Sequence, residues 1–201
     1  MIEHALTPIA DDVNSLGLPW AVVGGLALCA RATPRATADV DIALAVPSDA
    51  VAGSVVERMT DAGYVVNESI IHDETKRLAT VRLTTPAHLG ALPLDLFFAS
   101  SGVETEVASA ATPAEPIAGL ALPVATLSHL IAVKFLWRAN EKRDRDLRNL
   151  LSCATETDIT DARYLLQTIT ERGYNRGRDL TQGLSDWLSA SSVPAVRDGQ
   201  V

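Results

Sequence analysis

Cysteine is nearly absent from this sequence: Cys29 and Cys153 are the only two among 201 residues. Two thiols cannot build a disulfide framework or a cysteine metal site, and their apolar neighbours predict packed thiols in a cytoplasmic protein. Aromatic residues make up 4% of the chain, too few for the stacking platforms of single-strand binders, so Trp20, Trp137 and Trp187 are read as core or lid residues. No apolar run approaches the roughly 20 residues of a membrane helix, which excludes a membrane partner of that kind. The opening MIEHALTPIADD lacks the basic start and apolar middle of a signal peptide, so export is not expected. His4, His72, His88 and His129 are scattered without metal-ligand spacing. There is no Gly-x-Ser-x-Gly elbow, no Cys/His nucleophile pair, no internal repeat and no low-complexity tract.

Lysine is scarce too, with 3 Lys against 14 Arg. The net charge of −8 argues against a blanket nucleic-acid binder. Its distribution is uneven. Residues 1–133 carry 6 basic against 15 acidic side chains, whereas residues 134–201 carry 11 against 10. Six of those cations fall between Lys134 and Arg148, so a local polyanion contact stays possible.

The patterning predicts an α/β chain. Helices are expected at 2–16, 26–31 and 48–62, and strands at 20–23, 40–46, 64–66, 77–84 and 92–98. Residues 110–123 read as a Pro-, Ala- and Gly-rich connection holding one short strand. Helices then follow at 127–139, 143–153, 159–172 and 180–188. The fold expected is a small mixed β-sheet flanked by helices, with an α-helical C-terminal part. Its divisions are a domain over 1–110, a connection over 111–125, a helical domain over 126–190 and a loose tail over 191–201.

The chemistry is concentrated in three places. In the strand around Asp39-Val40-Asp41-Ile42-Ala43-Leu44, alternation puts Val40, Ile42 and Leu44 on one apolar face and both acids on the other. Two such carboxylates repel each other and resist desolvation, a conflict that a divalent cation removes; two solvated acids at a strand end are the plainer alternative. Asp95 is a single acid inside the apolar run Leu92-Pro93-Leu94-Asp95-Leu96-Phe97-Phe98. If its strand neighbours that of Asp39 and Asp41, three carboxylates converge, enough for two cations about 3.5–4 Å apart. Third, Gly24-Gly25 lies between a strand and a helix, where backbone can approach an anion. It is not a P-loop, because no Gly-Lys-Ser/Thr follows, and it lacks the third glycine of a dinucleotide fingerprint.

The order strand, Gly24-Gly25-Leu26-Ala27, helix, Arg35-x-Thr37-x-Asp39-x-Asp41 and a distant strand Asp95 resembles the nucleotidyltransferase superfamily that includes DNA polymerase β, over roughly residues 18–100. The stretch from Pro123 to Lys134 and the later Asp146-Leu147-Arg148-Asn149-Leu150 resemble the AbiEii/MenT nucleotidyltransferase toxins. That family usually has an acid three residues before this Asp; Arg143 stands there, with Asp144 after it. The resemblance implies catalytic Asp39, Asp41, Asp95 and Lys134, with the three acids as ligands of a two-metal Mg²⁺ or Mn²⁺ site. It also implies nucleotide contacts from Gly24, Gly25, Arg35, Thr37, Lys134 and Asp146. The implied reaction transfers NMP from ATP, CTP, UTP or GTP to an acceptor, often the 3′ end of tRNA, by a toxin with a cognate antitoxin protein. An antibiotic nucleotidyltransferase and a catalytically silent binding protein are the alternatives.

Lys134, Arg138, Lys142 and Arg145 recur at spacings of four, four and three, forming one stripe if their helix is continuous. With Arg148, the residues Arg138, Lys142 and Arg145 are the expected RNA contacts. Pairing with Glu141, Asp144 and Asp146 is the plainer reading of the same stripe.

Overall fold

Alternation along residues 40–44 fixes the centre of the molecule: Val40, Ile42 and Leu44 are buried completely or nearly so, while Asp41 looks out of the opposite face. The computed structural model describes residues 2–138 and 141–190. Helix α1 (Ile2–Ser15) buries Ala5, Leu6, Ile9, Ala10 and Val13 along one stripe. Strand β1 (Trp20–Val22) runs straight into α2 (Gly24–Arg31), and β2 (Val40–Leu44) precedes α3 (Asp49–Asp61). The Ser48 side chain caps α3 by accepting from the Val51 amide. Then come β3 (Val65–Ile71), β4 (Leu78–Thr84), β5 (Pro93–Phe97) and α4 (Glu104–Ser109), followed by β6 (Thr112–Ile117) and β7 (Leu120–Val124). The chain continues as α5 (Leu127–Leu136), α6 (Glu141–Cys153), α7 (Glu156–Glu171) and α8 (Leu180–Ala190).

The seven strands form one mixed sheet in the order β3-β4-β5-β2-β1-β7-β6. Strands β2 and β5 are parallel neighbours, as are β1 and β7; the remaining pairs are antiparallel. Eight α-helices among the described residues flank it, so the expected mixed α/β class is observed. Helix α4 packs on β1 and β2, α2 on β2 and β6, and α5 against α6, α7 and α8. None of the described helices is long and apolar enough to cross a membrane.

Three expectations are corrected. Residues 112–124 contribute two paired strands rather than one, because Ala114 pairs with Leu122 and β7 docks beside β1 at Val22. The edge strand β6 carries Pro113 and Pro116, which disguise it in sequence yet suit an edge. Cys153 is exposed rather than packed, because it ends α6 on its solvent side. The basic stripe is not continuous: α5 stops at Leu136, and α6 begins at Glu141. The tail expected over 191–201 lies outside the described residues.

The C-terminal helices are tied to the sheet by side chains of α2 and the loop after it. Arg31 donates to the carbonyls of Ala125 at 3.1 Å, Val124 at 2.9 Å and Thr112 at 3.0 Å, which stitches α2 to the β6–β7 pair. Asn149 on α6 clamps the Thr33 backbone from both sides, accepting from its N–H at 3.2 Å and donating to its carbonyl at 2.9 Å. That clamp holds the loop carrying Arg35 against α6.

Candidate active site

Parallel pairing of β2 with β5 sets Asp41 directly opposite Asp95. Both side chains therefore leave the sheet on the face away from Val40 and Leu94. They open into a cleft of about 820 Å³ that Gly24, Gly25, Arg35, Asp39, Lys134, Lys142 and Asp146 also line. Thr37, Arg138, Arg145 and Arg148 stand outside its wall.

The two glycines are explained by what lies against them. Gly24 has φ +64, and a Cβ there would fall 1.7 Å from the Asp41 Oδ2. A Cβ on Gly25 would come 2.4 Å from the Thr37 hydroxyl oxygen. The Gly25 backbone amide favours the charged form of the Asp41 carboxyl, so the start of α2 already faces an anion of the chain itself. We expect Gly24→Ala to lower stability by at least about 2 kcal/mol in urea unfolding, since it adds left-handed strain to a steric clash. A wild-type midpoint would show that Asp41 has room to retreat.

The three acids differ in electrostatics. Burial, followed by the charges of Asp39 and Asp95, pushes the Asp41 carboxyl up to about 6, against the opposing pull of Lys134. Asp39 is also drawn upward by partial burial, but the Thr37 hydroxyl, donating at 2.6 Å, and the charges of Lys142 and Arg35 hold it below the ordinary range. Thr37 is thus the orienting group for Asp39. Asp95 is raised by burial despite the Arg82 guanidinium, whose Nε lies 3.4 Å from its Oδ2. Arg82 sits opposite Asp95 on β4 and also reaches Glu68 on β3 at 2.9 Å. Strands β2 and β5 are neighbours, a condition the sequence leaves open, yet no cluster of three or more His, Cys, Asp or Glu side chains among the described residues is gathered to hold a metal. Asp95 reaches Arg82 instead.

Opposite the acids, Asp146 organises the cations. It is 3% exposed and accepts two bonds from the Arg35 fork, at 2.9 and 3.0 Å, and one from the Lys134 ammonium at 3.0 Å. These contacts hold its carboxyl below the ordinary range, although burial works in the other direction. Arg138 pairs with Asp144 at 2.9 Å instead of continuing a stripe from Lys134. The break has a local cause: Arg143 donates to the Trp137 carbonyl at 2.6 Å, and Arg178 donates to that of Leu136, which satisfies the end of α5. Lys142, Arg145 and Arg148 are exposed on α6, and Arg148 also stacks on Trp187.

Three features were not anticipated. Arg82 interrupts the apolar alternation of β4, the same signal that marked Asp95, but its partner becomes apparent only from the strand order. Glu104 is buried and takes five hydrogen bonds from Ser100, Ser101 and Gly102 at one wall of the cleft. No capping pattern marks it in the sequence, because Val103 and not Ser101 is the N-cap of α4. His72 and His129 also line the cleft, the latter bonded to the Thr126 hydroxyl at 2.7 Å.

No protein-family model matches the sequence, and no curated protein is similar to it. Solved structures are similar in fold. The solution structure of the antibiotic-resistance factor ANT(2'')-Ia superposes with a TM-score of 0.52 at 16% identity, over 92% of this chain and 96% of its own. ANT(2'')-Ia in complex with adenylyl-2''-tobramycin gives 0.52 at 15% identity, over 85% and 95%. The lincosamide antibiotic adenylyltransferase LnuA, bound to lincomycin, aligns more loosely, with 0.47 at 14% identity over 75% and 96%. With its mixed sheet, its flanking helices and near-complete coverage of ANT(2'')-Ia, this chain has a nucleotidyltransferase fold.

Proposed function

We propose that this protein transfers a nucleoside monophosphate from a nucleoside triphosphate to an acceptor hydroxyl, and that the acceptor is the 3′ end of tRNA. The observation that carries the transfer reading is the register placing Asp41 opposite Asp95, beside Asp39, in one cleft with Arg35, Lys134 and Lys142. The donor set fits divalent metal, because the buried Asp41 carboxyl, whose proton affinity Asp39 and Asp95 raise further, is relieved by a cation. Asp39 and Asp41 would hold one Mg²⁺ or Mn²⁺, and a second would be shared with Asp95 when it exchanges Arg82. Metal bound there supplies charge neutralisation for the phosphates.

The remaining steps belong to the chain's own groups. Lys134 and Arg35, aligned by Asp146, face the triphosphate and stabilise the departing pyrophosphate. Asp95, whose proton affinity is raised, accepts the proton of the acceptor hydroxyl. That oxygen bonds to the α-phosphorus as the bond from phosphorus to the β-bridging oxygen breaks, and pyrophosphate leaves.

Exposed Arg145 and Arg148, continuing from Lys142 at the cleft, support an RNA acceptor, since a front half so acidic needs a separate cationic track. The resemblance to AbiEii/MenT toxins adds the role: a cytoplasmic toxin restrained by a cognate antitoxin. A drug acceptor is the second reading. The fold likeness to ANT(2'')-Ia favours it, as do Asp73 and Glu74 in the cleft wall, which suit a polycation.

Incubation with each labelled NTP, with total RNA or tobramycin, and with Mg²⁺ or EDTA separates these readings. Label on RNA only with Mg²⁺ is expected. Reversing Arg145 and Arg148 to Glu should cut RNA labelling by more than about tenfold and leave NTP affinity unchanged, because each phosphate contact releases a counterion. Label on tobramycin and never on RNA moves the assignment to the drug, and no label on either removes the activity.

A further inference from the structure

On the reading that a nucleoside triphosphate enters this cleft, we propose that the Arg176 guanidinium, stacked on the Trp137 indole, is the platform for its nucleobase. The two side chains meet closely: the Arg176 Cζ lies 3.8 Å from the Trp137 ring centroid, and both line the cleft. Trp137 follows Lys134 by three residues at the end of α5, so the platform stands one turn beyond the ammonium assigned to the phosphates. A base one turn beyond its phosphates matches the extended shape of a nucleotide.

The platform is built rather than incidental. The main chain beneath Trp137 is pinned by Arg143 and Arg178, as described for the end of α5. Arg176 sits in a turn closed by the Arg178 amide donating to the Asn175 carbonyl at 3.1 Å and the Asn175 amide group donating to the Arg178 carbonyl at 2.8 Å. Its φ of 55° is one that a non-glycine residue seldom adopts without a compensating role. Among the described residues no carboxylate forms an ion pair with Arg176, so no acid draws its guanidinium away from the indole face. The guanidinium carbon lies over the ring, and the residue is exposed and lines the cleft, where a base can reach it.

Guanidinium is planar, delocalised and weakly hydrated, and it stacks on nucleobases as aromatic rings do. Such stacking is tolerant of base identity, because every base has a π-face. The platform therefore supplies affinity for a nucleoside over a bare polyphosphate, without choosing strongly among the four bases.

Calorimetric binding of each NTP and of inorganic tripolyphosphate tests the assignment without requiring turnover. Arg176→Ala and Arg176→Lys should each weaken NTP binding about tenfold and leave tripolyphosphate binding unchanged, since charge alone cannot replace a stacking plane. Trp137→Leu should do the same, and Trp137→Phe should recover most of the loss. Lys134→Ala should weaken both ligands. If Arg176→Ala and Trp137→Leu bind NTP as the wild type does, or lose tripolyphosphate equally, the platform is overturned while the transfer reading stands. A wild-type protein that binds neither ligand overturns both.

Discussion

Asp41→Asn is expected to abolish the proposed nucleotidyl transfer and, at the same time, to make the ligand-free protein more stable at pH 8. The two effects share one cause. Asp41 sits between Asp39 and Asp95 with its carboxyl pushed up to about 6, so ionisation in the folded state is disfavoured relative to the unfolded chain. Stability is therefore lost as pH rises from about 4 to about 6, and the deficit persists above that window. A shift of about two pH units corresponds to roughly 3 kcal/mol, and about 2 kcal/mol remains once partial exposure is allowed for. Asparagine keeps an acceptor for the Gly25 amide and removes the charge. Urea unfolding in EDTA should show the gain at pH 8 and none at pH 4. Asp39→Asn is the contrasting variant: Asp39 lies below the ordinary range, so its loss should not stabilise in the same way. Full transfer activity in Asp41→Asn would end the metal-dependent reading, and equal stability of the two proteins at pH 8 would end the electrostatic one.

Asp146→Ala should separate positioning from binding. Asp146 is buried and holds both Arg35 and Lys134, so its removal leaves two cations facing each other without their shared anion. Breaking a buried pair typically lowers stability by 3–5 kcal/mol; with Arg35 and Lys134 partly exposed, about 3 kcal/mol is expected. The local charge becomes more positive, so affinity for a triphosphate should hold or tighten. Turnover should fall by about 10- to 100-fold, because cations free to swing no longer meet the leaving pyrophosphate in a fixed geometry. A variant with unchanged kcat would show that Asp146 only braces α6 against the loop of Arg35. A variant that loses NTP affinity in step with kcat would show that Asp146 contacts the nucleotide directly.

Much of this was legible in the sequence, because the underlying signals are local. Period-two alternation around Asp41 and Asp95 specified which residues face the core, and Val40, Ile42, Leu94 and Leu96 are buried as that alternation requires. The diglycine was visible as a strand-to-helix junction, although its reason was not. Gly24 and Gly25 make room for Asp41 and Thr37, a contact between segments that no spacing rule encodes. Residues 112–124 hid a strand pair because prolines and small residues obscure the alternation, and edge strands tolerate both.

Sequence alone determined which faces of the strands are apolar, where every described α-helix except the short α4 begins and ends to within a few residues, and which acids stand isolated on apolar strands, since each depends on neighbours within a turn or a pleat. Tertiary structure alone decided what those acids and cations meet. The Arg82–Asp95 contact depends on the strand order, the Arg35–Asp146–Lys134 network joins residues 111 and 12 positions apart, and the Arg176–Trp137 stack depends on how a turn between α7 and α8 folds over the end of α5. Side-chain electrostatics act through space over a few ångströms, and only the folded chain sets which charges come that close.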